Sequence, residues 1–461
     1  MRFTLADIAR ATSGTTNSPD VWISGVSTDS RTAGEGDLFV AIRGENFDGH
    51  AFIGQALSSG VAAVVSEHQV DGPHVLVENT LTALGDIARL HRERLSARVV
   101  AVTGSSGKTS TKDLLAQVLT TFGDTIAPPG SFNNEIGLPN TVLSATRDTQ
   151  YLVLEMGMRG LGHIRYLCNI ARPDVAILLN VGSAHMELLG SRAGIAQAKA
   201  EILEGLTPDG VAVLYADDSL IAGMRDRTRA RVLTFGESPS ADVRVSDVVL
   251  DSMARASFVV TFQGNTSNVR LQLAGEHQVL NSAAVIAACV GMGLDFEKVC
   301  AALSSATNAS KWRMEVTELP RDITLINDAY NANPESMRAG LKALKAMSEG
   351  RRSWAVLGEM RELGDDRVAA HDEIGRLCVR LDINRLVAIG DAGKIIQMGA
   401  AQEGSFGNEA AHVATAEEAI EMLKREVRPG DVIFIKASRG VALERVAIAL
   451  IDHFSRENSR P

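Results

Sequence analysis

The segment RVVAVTGSSGKTS, residues 98–110, limits the possible folds more than any other stretch of the chain. An apolar run leads into a loop rich in glycine and serine, which predicts a buried strand, a tight loop and the start of a helix. Glycines allow the N–H groups of such a loop to turn toward a phosphate, and the helix adds its positive N-terminal end. The predicted phosphate loop comprises Thr103, Gly104, Ser105, Ser106, Gly107, Lys108, Thr109 and Ser110.

The end of this loop carries the two side chains with the clearest chemistry. We expect Lys108 to meet the β- and γ-phosphates of a nucleotide and the Thr109 hydroxyl to reach Mg²⁺. The general pattern G-x-x-x-x-G-K-[ST] has its first glycine where Val102 stands, so the loop has the shorter form T-G-x-x-G-K-T. The alternative is a turn that carries a lysine by coincidence, and the strand before it and the helix after it argue against that.

Further apolar runs show how the chain around this loop is organised. YLVLEMG, VAILLNVG and GVAVLYA read as buried strands between helical stretches, which is typical of a mostly parallel sheet covered by helices on both faces. DLFVAI, AAVVS and HVLV precede them, and TLINDAY, SWAVLGEM, RLVAIGD and DVIFIKAS follow. We therefore predict an α/β protein of three domains: a small N-terminal α/β domain (1–97), a central phosphate-loop domain (98–310) and a Rossmann-like C-terminal domain (311–461).

Composition excludes several classes of function. The formal net charge of −10 argues against a general binder of nucleic acid or anionic membranes. The four cysteines form no C-x-x-C pair, so we expect buried thiols in a reducing compartment rather than a zinc site or disulfides. No signal peptide or membrane span is recognisable, and we expect a cytoplasmic protein.

Polar residues that follow the predicted strands are candidates for the site, since ligands bind at the carboxyl ends of parallel strands. Glu155 ends one strand and could complete a Mg²⁺ site or face solvent. His185 follows the next strand and could be a ligand or a structural histidine. From the pattern alone, Lys199 is a solvated helix residue near Glu201, and Asn281 is a polar residue on a core helix or part of a base-reading pair with His277.

Several motifs together resemble the Mur ligases. The resemblance covers nearly the whole chain and rests on the phosphate loop and on STDSRTAGEGDLFVAIRGENFDGHAFI, GSFNNEIGLPNTVL, LEMGMRGLGHI, NVGSAHMELLGSRAGIAQAKAEI, NDAYNANPESM and VLGEMRELG. LEMGMRGLGHI and VLGEMRELG are similar to the members that add D-Ala-D-Ala to a UDP-N-acetylmuramoyl-tripeptide. The D-N-P-R-type motif of the diaminopimelate-adding members is absent.

The resemblance implies a reaction and a set of metal ligands. ATP would phosphorylate the carboxylate of the tripeptide, and the amine of D-Ala-D-Ala would attack the acyl phosphate. By the same resemblance, Thr109 and Glu155 hold one Mg²⁺ ion, and Glu155 with His185 holds a second. Lys199 aligns with a lysine that the family carbamylates with CO₂, which requires a neutral amine. Lys108, Lys199, His185 and Glu155 are thus the expected catalytic residues.

The family pattern also implies binding roles for residues elsewhere in the chain. Asn281 would read adenine, while Asn327, Asp328, Tyr330 and Asn331 would close over the nucleotide. Arg313 would meet the γ-phosphate, although Trp312 stands where the family usually has glycine. Expected substrate-binding residues are Ser30, Arg31 and Arg43 for the uridine diphosphate, Asn133 and Asn134 near the muramoyl or phosphate groups, and Lys436, Ser438 and Arg439 near the dipeptide or phosphates.

The sequence leaves some alternatives open. Another amino-acid-adding Mur ligase or a folylpolyglutamate synthase would share the phosphate loop, and so would an ATPase switch without ligase activity or a sugar or nucleoside kinase. The absence of an N-K-x-D motif weakens the case for a GTPase switch. We expect a monomer whose substrates are the UDP-muramoyl-tripeptide and D-Ala-D-Ala, while the third residue of the tripeptide, lysine or diaminopimelate, stays open.

Overall fold

Three β-sheets with helices packed against them form the framework of the molecule. The structure is a computed structural model, and it describes residues 2–44, 47–182, 186–405 and 409–457. In these ranges the strands fall into five-, nine- and six-stranded sheets that follow one another along the chain, with a two-stranded pair at the N-terminus. The prediction of a three-domain α/β fold is confirmed.

The first sheet is built from short strands and precedes the phosphate loop. Its order is β2-β7-β6-β5-β4, parallel except at β2. The elements of this part are β1 Phe3–Thr4, α1 Leu5–Ala11, β2 Thr15–Thr16, β3 Trp22–Ile23, β4 Gly25–Ser27, β5 Asp37–Val40, α2 Ile53–Ser58, β6 Ala63–Ser66, β7 His74–Leu76 and α3 Thr80–Arg92.

The central sheet carries the phosphate loop on one of its inner strands. Its order is β16-β15-β14-β13-β12-β11-β8-β10-β9, with parallel pairing from β9 to β14 and antiparallel pairing at β15 and β16. Its strands are β8 Arg98–Thr103, β9 Thr125–Ile126, β10 Tyr151–Glu155, β11 Val175–Leu178, β12 Val211–Tyr215, β13 Arg231–Gly236, β14 Val243–Leu250, β15 Arg255–Phe262 and β16 Asn265–Ala274. Its helices are α4 Lys108–Thr120, α5 Gly137–Ser144, α6 His163–Ala171, α7 Met186–Leu189, α8 Arg192–Glu204, α9 Ser219–Ala222, α10 Gln278–Gly291 and α11 Phe296–Ser305.

The third sheet has the order β17-β18-β22-β19-β20-β21 and is parallel except at β17. Its strands are β17 Glu315–Leu319, β18 Ile323–Asn327, β19 Ser353–Leu357, β20 Arg385–Ile389, β21 Ala410–Val413 and β22 Val432–Lys436. Its helices are α12 Pro334–Met347, α13 Arg367–Arg380, α14 Gly390–Glu403, α15 Ala416–Glu426 and α16 Glu444–Glu457.

Alternation along the central strands divides the apolar core into two layers. On β8, Val99 and Ala101 belong to one buried cluster, and Val100 and Val102 belong to another on the opposite face. Each face is therefore covered by helices, as predicted from the continuous apolar runs. The first cluster also contains buried residues from α1, β5 and α3, so the N-terminal sheet shares a core with one face of the central sheet.

Two predictions about the chain as a whole can be compared with the fold. All four cysteines are free and buried, as expected, and burial raises the pKa of the Cys168 thiol to about 12. Among the described residues, no helix is both long and apolar enough to cross a membrane. The sequence did not predict the antiparallel strands β14–β16, because buried residues in them alternate with partly or fully exposed ones and a continuous apolar run is lacking.

Candidate active site

A cleft of about 970 Å³ lies where the carboxyl ends of the central strands face the third sheet. Residues from all three parts of the chain line it, including Leu81 and Thr82 at the start of α3. Most predicted site residues meet in this cleft: Ser105, Ser106, Gly107, Lys108, Thr109, Ser110, Asn133, Asn134, Glu155, Asn281, Arg313, Asp328, Tyr330, Asn331 and Lys436.

The phosphate loop joins β8 to α4 in a conformation that requires glycine at residue 107, immediately before the helix. Gly107 has φ +81°, and a Cβ there would lie 2.6 Å from Oδ1 of Asn281 on α10. The loop is held from the side by Asn180, which follows β11: its Oδ1 accepts hydrogen bonds from the backbone N–H groups of Ser105 (3.0 Å) and Ser106 (2.9 Å). The loop is thus shaped before any ligand binds.

Lys108 begins α4 and turns back over the loop. Its Nζ donates to the carbonyl oxygen of Gly104 at 2.8 Å. Burial in the cleft lowers the pKa of Lys108, while the Glu155 carboxylate raises it and the Arg313 guanidinium lowers it. A phosphate in the loop would supply the negative charge that such a lysine lacks.

Glu155 is the centre of a buried set of oxygen ligands at the end of β10. Its Oε2 accepts a hydrogen bond from Thr109 Oγ1 at 2.7 Å, and its Oε1 accepts from Ser131 Oγ at 2.8 Å and Asn133 Nδ2 at 2.7 Å. Glu155 is 1% exposed. The strand-end carboxylate therefore points inward, toward the phosphate loop, and does not face solvent.

These donors suit Mg²⁺, which takes one or two carboxylate ligands together with hydroxyl, water and phosphate oxygens. The Thr109 hydroxyl and the Glu155 carboxylate are already in contact, so both can turn toward one cation beside the loop. The described part of the chain holds no group of three or more His, Cys, Asp or Glu side chains placed to bind a metal alone. His185, the remaining predicted ligand, lies outside the described residues.

Lys199 lies on α8 and is 2% exposed, so the solvated position that the residue pattern indicated is wrong. Within the described ranges, no side chain pairs with its ammonium group. Burial, together with the positive charge of Lys108, holds the pKa of Lys199 well below its usual value. The pattern misleads because α8 is covered on more than one side. Glu201, two residues on, is also buried and accepts hydrogen bonds from the N–H groups of Gly162 (2.7 Å) and Arg165 (3.0 Å) at the start of α6.

Across the cleft, an ion pair orders the loop that follows β18. Lys436, the last residue of β22, places Nζ 2.5 Å from Oδ2 of Asp328 and donates to the carbonyl oxygen of Asn331 at 2.8 Å. Burial lowers the pKa of Lys436, and Asp328 opposes that shift. Because both groups are buried and paired, Lys436 fixes the position of the loop that follows β18. The second carboxylate oxygen of Asp328, Oδ1, accepts a hydrogen bond from the Met314 N–H at 3.0 Å.

Arg313 reaches the cleft although Trp312 replaces the glycine expected before it. Trp312 adopts φ +60°, a conformation that glycine takes easily and a bulky residue rarely does. Its ring packs under the Arg439 guanidinium at 4.5 Å. The Arg313 guanidinium lies 4.2 Å from the centre of the Tyr330 ring. The backbone path that glycine would allow is thus kept.

The other predicted residues that the structure describes do not line the cleft. Thr103 is the last residue of β8 and is buried at the base of the loop, where its hydroxyl donates to the carbonyl oxygen of Met156 at 2.9 Å, and Gly104 follows it. Asn327 and Ser438 are buried behind the C-terminal wall. Arg439 forms an ion pair with Glu444 at 2.6 Å.

The predicted uridine-diphosphate residues lie at the carboxyl end of the N-terminal sheet, apart from the cleft. Arg31 is exposed and makes a two-pronged contact with Asp29 (2.6–3.2 Å), and Arg43 approaches Asp48 and Glu67 at 3.4 Å each. Ser30 donates to Gln55 at 3.3 Å. Both arginines are partly exposed, so they are accessible to a ligand.

Sequence reasoning missed three residues that organise the site. Ser131 and Asn180 contact the metal-binding set and the phosphate loop, and Asn333 donates from Nδ2 to the carbonyl oxygen of Ser105 at 3.3 Å. Asn180 follows a buried strand, which is the signal that singled out Glu155. Ser131 and Asn333 lie within quoted motifs, but their partners are distant in the sequence.

Sequence models of the Mur ligases match most of the chain. The Mur ligase family catalytic domain matches residues 22–92, the Mur ligase middle domain matches 102–289, and the glutamate ligase domain matches 312–439.

Curated relatives match over nearly their whole length. The UDP-N-acetylmuramoyl-tripeptide--D-alanyl-D-alanine ligase of Mycobacterium tuberculosis is 42% identical, with 95% of this chain and 94% of the relative covered. The Bacillus subtilis protein of the same name is 36% identical over 97% and 98% of the two chains.

Solved structures agree. A crystal structure of MurF from Acinetobacter baumannii superposes with a TM-score of 0.90 at 31% identity, covering 98% of this chain and 99% of that one. MurF from Thermotoga maritima in complex with ADP gives 0.83 at 30% identity, covering 94% and 98%. The loop, the buried carboxylate and the three-sheet framework therefore have one explanation: this chain belongs to the Mur ligase family.

Proposed function

We propose that the chain is an ATP-dependent ligase that joins D-Ala-D-Ala to UDP-N-acetylmuramoyl-tripeptide in the synthesis of peptidoglycan precursors. The observation that carries the proposal is the pairing of Thr109 with buried Glu155 beside the phosphate loop, in a chain that matches ligases of that name over nearly its whole length. The ADP complex of the Thermotoga maritima relative supports ATP as the energy source.

The phosphate side of the reaction follows from the geometry of the loop. Backbone N–H groups of residues 105–110, the N-terminus of α4 and Lys108 would bind the phosphates of ATP. Lys108 would leave the Gly104 carbonyl and meet the β- and γ-phosphates. A carboxylate that attacks the γ-phosphate brings two anions together. The positive charge of Lys108 and of the α4 N-terminus would lower the electrostatic repulsion between them.

Mg²⁺ would be held by Thr109 and Glu155, with Ser131 and Asn133 orienting the carboxylate. When bound, the ion neutralises charge on the phosphate oxygens. We also propose a second ion between Glu155 and His185. Lys199 would carry a carbamate: its buried amine has a lowered pKa, so it is available in the neutral form that reacts with CO₂.

The other two walls would bind the rest of the substrates. Asn281 would contact adenine, and Asp328, Tyr330 and Arg313 would close over ribose, base and γ-phosphate, with Asn327 and Asn331 shaping that loop. The N-terminal domain (1–97) would hold the uridine diphosphate through Ser30, Arg31 and Arg43. Asn133 and Asn134 would lie near the muramoyl group, and Lys436, Ser438 and Arg439 would support the dipeptide side. We propose that the enzyme acts as a monomer in the cytoplasm.

The test is phosphate release from ATP and Mg²⁺ with UDP-muramoyl-tripeptide, with and without D-Ala-D-Ala, and with the product identified by mass. We expect release to need both substrates and to yield the pentapeptide. Lys108→Ala should lower the rate at least about 100-fold, since removing one charge-stabilising donor costs that much. Release that ignores both substrates would identify an ATPase, and a stable phosphate ester would identify a kinase. Running lysine- and diaminopimelate-containing tripeptides in parallel assigns the third residue.

A further inference from the structure

The side chain of Asn333 serves two parts of the molecule at once. It stands just before α12, where its Oδ1 accepts a hydrogen bond from the Ser336 N–H at 2.8 Å and so caps the helix. Its Nδ2 points the other way and donates to the carbonyl oxygen of Ser105 in the phosphate loop at 3.3 Å. One amide therefore joins a helix of the C-terminal domain to the loop of the central domain.

Ser105 is held by the central domain on its other polar groups. Its N–H donates to Oδ1 of Asn180 at 3.0 Å, and its Oγ accepts from the Gly182 N–H at 2.9 Å. Its carbonyl oxygen takes the hydrogen bond from the C-terminal domain. A movement of the C-terminal domain would therefore change a hydrogen bond of the phosphate loop directly, at the carbonyl oxygen of Ser105.

Packing around this contact shows that it belongs to a larger meeting of the two domains. A Cβ on Gly182 would lie 2.7 Å from the carboxylate of Glu335, in the first turn of α12. A Cβ on Gly364 would lie 3.0 Å from Cα of Glu187 on α7. Both distances show that the C-terminal domain is packed against the central domain at this point. The hydrogen bond from Asn333 to Ser105 depends on the same packing.

We propose that Asn333 is a positioning residue that couples closure of the C-terminal domain to the conformation of the phosphate loop. The inference rests on the proposed function, because closure matters for the rate only if the chain transfers the γ-phosphate. In the closed form, Asn333 holds the Ser105 carbonyl while Asn180 holds the N–H groups of Ser105 and Ser106. The loop is then fixed from both domains when the nucleotide is in place.

Asn333→Ser separates the two roles of the side chain. Serine caps helices about as well as asparagine, so α12 keeps its cap, but serine has no amide to reach Ser105. We expect the thermal midpoint to stay at the wild-type value and kcat to fall roughly five-fold, the effect of one lost hydrogen bond. Asn79→Ser is the matched control, because Asn79 caps α3 through the Thr82 N–H at 2.8 Å and, among the described residues, forms no hydrogen bond with the phosphate loop.

Closure itself is measured by small-angle X-ray scattering with a non-hydrolysable ATP analogue and the UDP substrate. A smaller closed fraction in Asn333→Ser, with Asn79→Ser like the wild type, supports the proposal. The proposal is contradicted if Asn333→Ser has the same kcat and the same scattering as the wild type. It is also contradicted if kcat falls only together with the thermal midpoint, since the loss would then reflect a less stable fold. Scattering does not depend on turnover. A chain without ligase activity would therefore contradict the proposed function, while the scattering of wild type and Asn333→Ser would still test whether Asn333 favours closure.

Discussion

At the scale of single residues, the most consequential feature is a buried lysine without an acidic partner among the described residues. In its neutral form Lys199 avoids the large free-energy cost of burying an ammonium ion, and burial, together with the positive charge of Lys108, holds its pKa well below the usual value. An unfolded chain would bind a proton there that the folded chain does not. Between the lowered pKa and the usual one, stability should therefore rise with pH and fall as pH decreases.

Lys199→Met tests this reasoning. In CO₂-free buffer, we expect the wild-type free energy of unfolding to rise between pH 8 and 10 by up to about 1.4 kcal/mol per pH unit, one proton's worth. The methionine variant should lack that slope and be inactive as a ligase. Urea unfolding at several pH values measures it. Lys342→Met, at an exposed position on α12, should keep the wild-type slope, and equal slopes in all three proteins would contradict the assignment.

At the scale of elements, the turn between β8 and α4 depends on one glycine. Gly107 combines φ +81° with close approach to Asn281, so alanine there meets both backbone strain and a contact at 2.6 Å. Gly430 has nearly the same backbone conformation, φ +85°, but a Cβ there would meet nothing within 4 Å. Comparing alanine variants at these two glycines therefore separates the effect of backbone strain from the effect of the close contact with Asn281.

Gly107→Ala should raise KM for ATP at least about ten-fold, because a strain of 1–2 kcal/mol and a displaced loop both oppose phosphate binding. Gly430→Ala should introduce a similar backbone strain, and so lower the thermal midpoint, but it should leave KM for ATP unchanged because residue 430 does not line the cleft. Steady-state kinetics at varied ATP, with thermal unfolding of each variant, measure both. An unchanged KM in Gly107→Ala would show that the loop tolerates a side chain at residue 107.

The sequence predicted the elements better than their long-range partners. The phosphate loop, Glu155 and the buried strands were evident because each is encoded in a short local pattern. Asn180 and Ser131 were missed, since their partners are 75 and 24 residues away and no local pattern specifies a pairing. The burial of Lys199 was likewise invisible to helix periodicity: the family resemblance implied a functional role for this lysine, and the structure shows that it is buried.

At the scale of the whole molecule, we expect the segment between α11 and β17 to act as the hinge between the central and C-terminal domains. Thr307 is tied to α4 by two hydrogen bonds with Gln117, at 2.9 and 3.0 Å. Trp312 and Met314, which follow, both have positive φ. The chain is thus anchored to the central domain up to residue 307 and changes direction between 308 and 314.

We expect this hinge to open without ligands and to close with them. The radius of gyration should decrease when ATP analogue and UDP substrate are both present, because Arg313 and Asp328 then gain contacts to the nucleotide. Small-angle scattering measures the change, with each ligand alone as a control. Identical curves with and without both ligands would rule out hinge closure.

The shared core of the N-terminal and central sheets has a consequence for synthesis of the protein. Buried residues such as Phe3, Leu5 and Leu84 belong to the same cluster as Leu152, Leu178 and Leu214. On the ribosome, the first 97 residues therefore emerge well before the strands that cover their apolar face. Until residue 224 has left the exit tunnel, that cluster is incomplete and the N-terminal face stays open to chaperones, proteases and other nascent chains. The third sheet has one core layer built only from its own residues and a second that also includes Ala254 and Ala274 of the central part, so its core is largely built from the segment that emerges last.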